Sequence, residues 1–577
     1  MLRKNNIILL IGISVCAFVG LQAQDAKMLS KRGVQKLAVK NYSGAIQDFT
    51  LALEANPEEV GLYVNRSIAK KGVNDFSGAI EDLGFAIEID STDANLFFNR
   101  GIAKGLMGDA QGAITDYNTA IRLNAKANIF FNRGIEKERL KDLDGALEDY
   151  NKALQLNPKY GDVYFNRGVV KSAMQDMEGA LQDYNKAILF NPKNESAYFN
   201  RAIERSIHQD FTGAIADYTN AIRLQPSFAS AYFNRGFAKT KLNNYRAALL
   251  DFDRAIQLDP AVDIYYSRAI AKAAVNDYTG AIQDYDKVIS LDATLENIYF
   301  NRGLSKMKKE DFAGAVPDFD QAIKDHQANA DIYYNRGVAK RSLNQYASAL
   351  VDFDKAIVLN PKNSDLYVNR GLVKLALKDT SAAIKDFTNA IEADSRNIGA
   401  YFNRGIQYER TGEFEAALTD YNTALQLNPK YADIYFNRGL VKGMLNDKKG
   451  AIGDYANAIR LNPSFGNAYY NRGIERMQQK EYATAITDFS RAVQLIGSKP
   501  DLCFNRGIAY MQLKLYPAAL RDFDTALKTD IGNADIWLNR GILKVILKDI
   551  AGGCKDLQQA LKLGSVGASA ELEKSCK

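Results

Sequence analysis

Residues 161–194 read GDVYFNRGVVKSAMQDMEGALQDYNKAILFNPKN. Asp162 stands where an N-cap belongs, with a side-chain oxygen able to accept from the unsatisfied N–H groups of a first helical turn. Residues 163–174 follow without a helix breaker, Gln175 and Asp176 make a turn, and 179–190 supply a second helix. Asn191-Pro192 ends that helix, because proline cannot continue one. The stretch predicts a helical hairpin.

The hairpin recurs. Equivalents of Arg167 stand at Arg32, Arg66, Arg100, Arg133, Arg201, Arg235, Arg268, Arg302, Arg336, Arg370, Arg404, Arg438, Arg472, Arg506 and Arg540. Thirteen of the fifteen intervals are 34 residues and two are 33. A strict period of this length marks a solenoid. With the arginine as position 7, sixteen repeats start near 26, 60, 94, 127, 161, 195, 229, 262, 296, 330, 364, 398, 432, 466, 500 and 534. Position 2 is Asp, Asn or Ser in thirteen repeats and reads as the N-cap of the first helix. Position 8 is always small, position 20 is Ala in fifteen repeats, and position 27 is Ala in all but Val288. Small residues at these places let two antiparallel helices approach closely. Large ones at positions 4 and 24, such as Tyr164 and Tyr184, are expected to fill the gaps between neighbouring hairpins.

Composition fits one repeated unit. Apolar residues make up 47% of the 577, and the 31 Tyr and 28 Phe stand against one Trp, which points to one kind of position used repeatedly. With 74 basic and 68 acidic residues the chain is nearly balanced, which argues against nucleic acid as a partner.

The N-terminus reads as a targeting segment. Arg3 and Lys4 precede a 13-residue apolar run over 7–19, and Ala23 offers a cleavage point, so residues 1–23 are expected to be a signal peptide. An uncleaved anchor is the alternative. No later stretch reaches membrane-spanning length, so the mature chain is expected to be exported, in the periplasm or associated with the outer envelope.

The unit resembles the tetratricopeptide repeat, of an exported bacterial type: aromatic at 4, small at 8, Ala at 20, aromatic at 24, Ala at 27 and often Pro at 32, as at Pro158 and Pro192. The resemblance runs over 26–567. It implies an all-α, right-handed superhelical solenoid of about sixteen repeats over 24–565, with residues 566–577 as a C-terminal capping helix. The departures are regular. Position 7 is always Arg where the family has Leu, and position 11 is Lys or Arg in fourteen repeats, with Tyr408 and Tyr510 keeping the family's Tyr.

Sixteen residues after every position-7 arginine stands an aspartate, at position 23. Positions that face each other in an antiparallel hairpin have a constant sum, which puts 7 and 23 at nearly the same level. Arg100–Asp116, Arg167–Asp183, Arg302–Asp318 and Arg404–Asp420 are thus expected ion pairs, the partner being in the same hairpin or the next. A half-buried arginine needs such a partner. A row of arginines for acidic polymers is the alternative, and the aspartates would neutralise it.

In tetratricopeptide superhelices the first helix of each hairpin lines a concave groove, which implies that positions 2, 5, 6, 9, 12 and 13 face it. Position 6 is Asn in fourteen repeats: Asn65, Asn99, Asn132, Asn166, Asn200, Asn234, Asn301, Asn335, Asn369, Asn403, Asn437, Asn471, Asn505 and Asn539. Position 5 is Phe or Tyr in twelve, including Phe165, Phe199, Phe233 and Phe300, and position 9 is apolar throughout. A carboxamide both donates and accepts, so a row of them can grip a peptide backbone without reading its side chains. The row resembles the asparagine ladder in the superhelical domain of the O-linked N-acetylglucosamine transferases. The carboxylate clamp of chaperone-binding members is not matched, since position 5 is aromatic and position 9 apolar. Positions 12 and 13 vary most, as in Glu138-Arg139, Glu409-Arg410 and Met477-Gln478, and suit discrimination between partners.

Cys503 takes the place of a position-4 aromatic and reads as a buried thiol. Cys554 opens the last second helix and Cys576 closes the terminal segment, with a turn near Ser565 midway, so the two are expected to form a disulfide. The two histidines, His208 and His326, are far apart, and no metal-ligand cluster, phosphate loop or nucleophile elbow occurs. The expected function is a non-enzymatic scaffold, without cofactor or metal, that binds protein or extended peptide. The alternative is glycan or peptidoglycan binding, with the position-5 aromatics as stacking platforms.

Overall fold

A computed structural model of the chain describes residues 25–295, 297–325 and 329–576. The expected signal peptide over 1–23 and His326 lie outside them. Among the described residues, a helix over 25–38 is followed by thirty-two more, from Tyr42–Ala55 to Val566–Ser575, and none is long and apolar enough to cross a membrane. The chain divides into two compact units, Met1–Leu295 and Glu296–Lys577, and that boundary falls between repeats 8 and 9.

Repeat 5 shows how the residues build the hairpin. Its helices are Gly161–Ala173 and Met177–Phe190. Each begins two residues earlier than the sequence pattern suggests, and the reason lies in the caps. The second helix is capped by Asp176, whose Oδ1 accepts from the Gly179 N–H at 3.0 Å. A Cβ on Gly179 would stand 2.1 Å from Asp176 Oδ2, so glycine belongs to the cap and is not a breaker. The pattern repeats at Asp75 with Gly78, Asp109 with Gly112, Asp447 with Gly450 and Asp549 with Gly552. Between the helices, position 15 is left-handed in every repeat, from Lys40 (φ 60°) through Gln175 (φ 64°) to Lys548 (φ 70°), with glycine at only two of these turns, Gly108 and Gly412.

The expectation that position 2 caps the first helix is corrected. In repeats 2–8 and 10–16 that helix starts at position 1, and the capping side chain, where there is one, comes from the residue before it: Asp93, Asn194, Asn329, Asn363, Asn397 and Asn533; in repeat 9 it starts at Ile298, after Asn297 at position 2. Asp162 lies inside the first turn. There its negative charge favours the helix N-terminus without closing it.

Packing is large against small, as expected, but the arrangement at position 24 differs. The ring of Tyr184 lies inside its own hairpin, where a Cβ on Gly168 would meet it at 2.7 Å. Tyr164, by contrast, carries the core onward: it shares one buried cluster with Ala146, Tyr150 and Ala153 of repeat 4.

At the C-terminus, Val566–Ser575 buries Ala568, and Gly567 comes up against Leu538 of repeat 16. Cys554 and Cys576 are joined as a disulfide, and Cys503 is a buried free thiol held above its ordinary pKa chiefly by burial.

Candidate binding face of the first helices

The arginine at position 7 organises the space behind the first helices. In repeat 5 Arg167 Nε and Nη2 donate to the two oxygens of Asp183 at 2.8 and 2.6 Å, both within one hairpin. All sixteen arginines bind their position-23 aspartate in this way. That includes Arg100–Asp116, Arg302–Asp318 and Arg404–Asp420, so the open choice of partner falls to the same hairpin. Asp183 is 1% exposed, and a bidentate fork is the geometry that compensates a buried carboxylate best. Lys171 at position 11 adds a second cation to Asp183 at 2.8 Å, and fourteen aspartates have such a second partner. In the remaining two repeats the rings of Tyr408 and Tyr510 lie 5.7 and 6.0 Å from Arg404 and Arg506 instead.

The arginine makes a third bond that no invariant partner in the sequence announces. Arg167 Nη1 donates to Asn151 Oδ1 at 2.6 Å, on the second helix of the preceding repeat. Position 25 supplies the same link through Asn118, Asn185 and Asp354, and through the hydroxyls of Thr219 and Ser490. The signal was present but diffuse: position 25 is Asn, Asp, Thr or Ser in every repeat that precedes another, except at Gly84 and Ala456. The guanidinium also lies 5.4 Å from the Tyr164 ring, which encloses it further.

With its cations engaged behind, the outer row of the first helices is left to the asparagines and aromatics. Asn166 Nδ2 donates to the carbonyl of Asp162, four residues back, at 3.0 Å. Asn132, Asn234, Asn335, Asn403, Asn471 and Asn539 do the same at 2.7–2.9 Å. Each is half-buried and held in one orientation by that bond. Two asparagines also meet the neighbouring repeat: Asn369, tied to the Asp365 carbonyl at 2.8 Å like the others, reaches Tyr334 Oη at 3.4 Å and accepts from Arg341 at 2.7 Å, and Asn505 reaches Tyr470 Oη at 3.1 Å. Asn65, Asn99, Asn200, Asn301 and Asn437 are half-buried at the same place.

The position-5 aromatics are less free. Phe165, Phe199, Phe233 and Phe300 each tilt against the position-24 ring of their own hairpin, with centroids 5.7–6.2 Å apart. They are half-buried flanks of the core.

This face belongs to a recognisable fold. Family profiles described as tetratricopeptide repeat match residues 127–160, 161–194, 229–261, 330–363, 364–397 and 436–500, and a TPR repeat profile matches 208–242 and 407–446. The chain is a tetratricopeptide-repeat protein. No curated protein matches it. Among solved structures, matches include MamA (24% identity, 28% of this chain and 94% of that one, TM-score 0.27). YrrB, described as a TPR protein with an unusual peptide-binding site, matches at 22% identity over 32% of this chain and 95% of that one, with TM-score 0.28. Yeast Tom70 matches at 19% identity over 85% and 96%, with TM-score 0.29.

Proposed function

We propose that this tetratricopeptide-repeat protein is a non-enzymatic scaffold that lays an extended segment of another polypeptide along the face of its first helices. The observation that carries the reading is the asparagine row. In eight of the fourteen, one amide N–H of the side chain is tied to the helix, which fixes the carboxamide. In repeats such as 5, 12 and 14 its oxygen is then offered as an acceptor for a ligand backbone N–H. Such a row holds a backbone whatever side chains it carries, and the varied positions 12 and 13 select among partners. The same reading takes the protein as exported, to the periplasm or outer envelope. It rests there on the basic-then-apolar pattern of residues 1–23 and on the Cys554–Cys576 disulfide, a bond that persists in oxidising compartments.

The test is crosslinking in intact cells followed by mass spectrometry, repeated on a chain with Asn403, Asn437 and Asn471 changed to Ala. Each lost ligand bond removes about 1 kcal/mol, so the three together weaken the recovered partner roughly 100-fold. Unchanged partner affinity, or retention on cell-wall polysaccharide in place of a polypeptide, contradicts the reading.

A further inference from the structure

Acidic residues at positions 8 to 14 of the first helices occur in only four repeats: Glu136 and Glu138 in repeat 4, Glu204 in repeat 6, Glu409 in repeat 12 and Glu475 in repeat 14. Repeats 4 and 12, and repeats 6 and 14, occupy the same places in the two compact units. The local geometry repeats as well. Tyr150 Oη donates to Glu138 Oε2 at 2.9 Å, and Tyr421 Oη to Glu409 Oε2 at 2.9 Å. Glu204 and Glu475 are buried between first helices, and in both Oε2 has no hydrogen-bond partner among the described residues. The other oxygen of each is seated the same way, against position 12 of the preceding repeat. Ser172 donates to Glu204 Oε1, and Glu475 Oε1 lies over Gly443, where a Cβ would come to 2.8 Å.

Several of the cations beside these acids are already committed, while Arg410 acts on Glu409. Lys137, Arg205 and Arg476 bind the buried aspartates Asp149, Asp217 and Asp488, and Arg139 binds Glu136 at 2.9 Å. Lys448 is the charge that acts on Glu475 from outside its own helix. A buried carboxylate oxygen without a donor is costly. Most other repeats place Ala, Val or Leu at position 10, so the fold does not require the acid there.

We propose that repeats 4–6 and 12–14 are two copies of one cation-recognising site, each taking two basic side chains, lysine or arginine, of a segment laid along the first helices. The proposal rests on the polypeptide-binding reading above. Glu138 and Glu409, half-exposed, receive one basic group. Glu204 and Glu475 receive the other. Adjacent first helices touch, as Arg139 Nη1 on the Gly105 carbonyl shows, so at about 10 Å per packed helix the two positions stand roughly 20 Å apart. An extended chain covers that in about six residues.

The probe is a capped Gly/Ser peptide with two arginines about six residues apart, compared with the same peptide carrying citrulline, which keeps the shape and loses the charge. Calorimetry with the full chain at low ionic strength should give two equivalents of the arginine peptide and at least tenfold weaker binding of the citrulline one. Glu138→Gln with Glu204→Gln should leave one equivalent, and adding Glu409→Gln and Glu475→Gln should leave none. Glu138→Gln or Glu409→Gln alone, at half-exposed sites that the fold tolerates, should each weaken one equivalent. Equal affinity for the two peptides, absence of binding, or binding that survives all four changes overturns the proposal. The polypeptide reading fails separately, when a partner recovered from cells ignores the asparagine substitutions.

Discussion

Asp318 and Asp420 hold the same place in repeats 9 and 12, yet Asp318 has two cations, Arg302 and Lys306, while among the described residues Asp420 pairs with Arg404 alone. Tyr408 occupies the position of the second cation there and offers no charge. Arg404→Leu therefore leaves a buried carboxylate unpaired and should cost about 3–5 kcal/mol. Arg302→Leu should cost less, because Lys306 remains. Arg404→Leu with Asp420→Leu should recover most of the loss in urea melts, whereas additive losses would contradict the pairing. Glu475 works in the opposite sense. Burial raises its pKa, with Lys448 opposing. Its folded value then lies above the unfolded one, so the penalty is absent below about pH 4 and grows as pH rises through the folded value. Glu475→Gln should raise Tm at pH 7.5, by about 2–3 °C if roughly 1 kcal/mol is relieved, and leave it unchanged near pH 4. At this scale the ion pair was legible because both partners are invariant in type and spacing. The third arginine bond was not, because Asn, Asp, Thr and Ser serve equally at position 25. The acids at position 10 were not, because they occur in too few repeats to register as a pattern.

The hairpin's boundaries are decided by caps, and here the sequence misleads for a physical reason. Glycine three residues after an aspartate looks like the first residue past a break, yet Gly179 is the N–H that Asp176 caps. Asp176→Ala should cost about 1 kcal/mol. Gly179→Ala should bring no gain in the native chain, since its Cβ would displace the Asp176 carboxylate. In the Asp176→Ala background the same change should stabilise by about 1 kcal/mol, the helix-propensity difference between Gly and Ala. A gain of that size in the native chain would show that the cap is not formed. The start of the first helix was misplaced by two residues for a related reason. Asp and Asn favour both the cap and the first turn. Position 2 is the more uniform of the two candidates, although it lies inside the turn.

Over the whole molecule, the period of 34 made the architecture legible at once, because helical hairpins of one length can bury their apolar faces only by stacking. The division into two units was not legible, since no Pro/Gly/Ser-rich stretch marks the boundary after Leu295. The disulfide ties only the last turns of the array. Closing the 22-residue separation between Cys554 and Cys576 should be worth about 3 kcal/mol to the end cap. In a repeat array that effect stays with near neighbours. Cys576→Ser should speed amide exchange over Val566–Ser575 and leave repeats 1–14 unchanged, whereas exchange gained throughout would contradict a local cap. The partner should meet the face of the first helices. Phe237 at position 9 of a first helix and Phe85 on a second helix are almost equally exposed, at 42% and 43%, within one unit. With p-benzoylphenylalanine at one or the other, irradiation of intact cells should crosslink a polypeptide from position 237 and not from 85. Equal capture from both, or capture from 85 alone, would contradict a binding face built on the first helices.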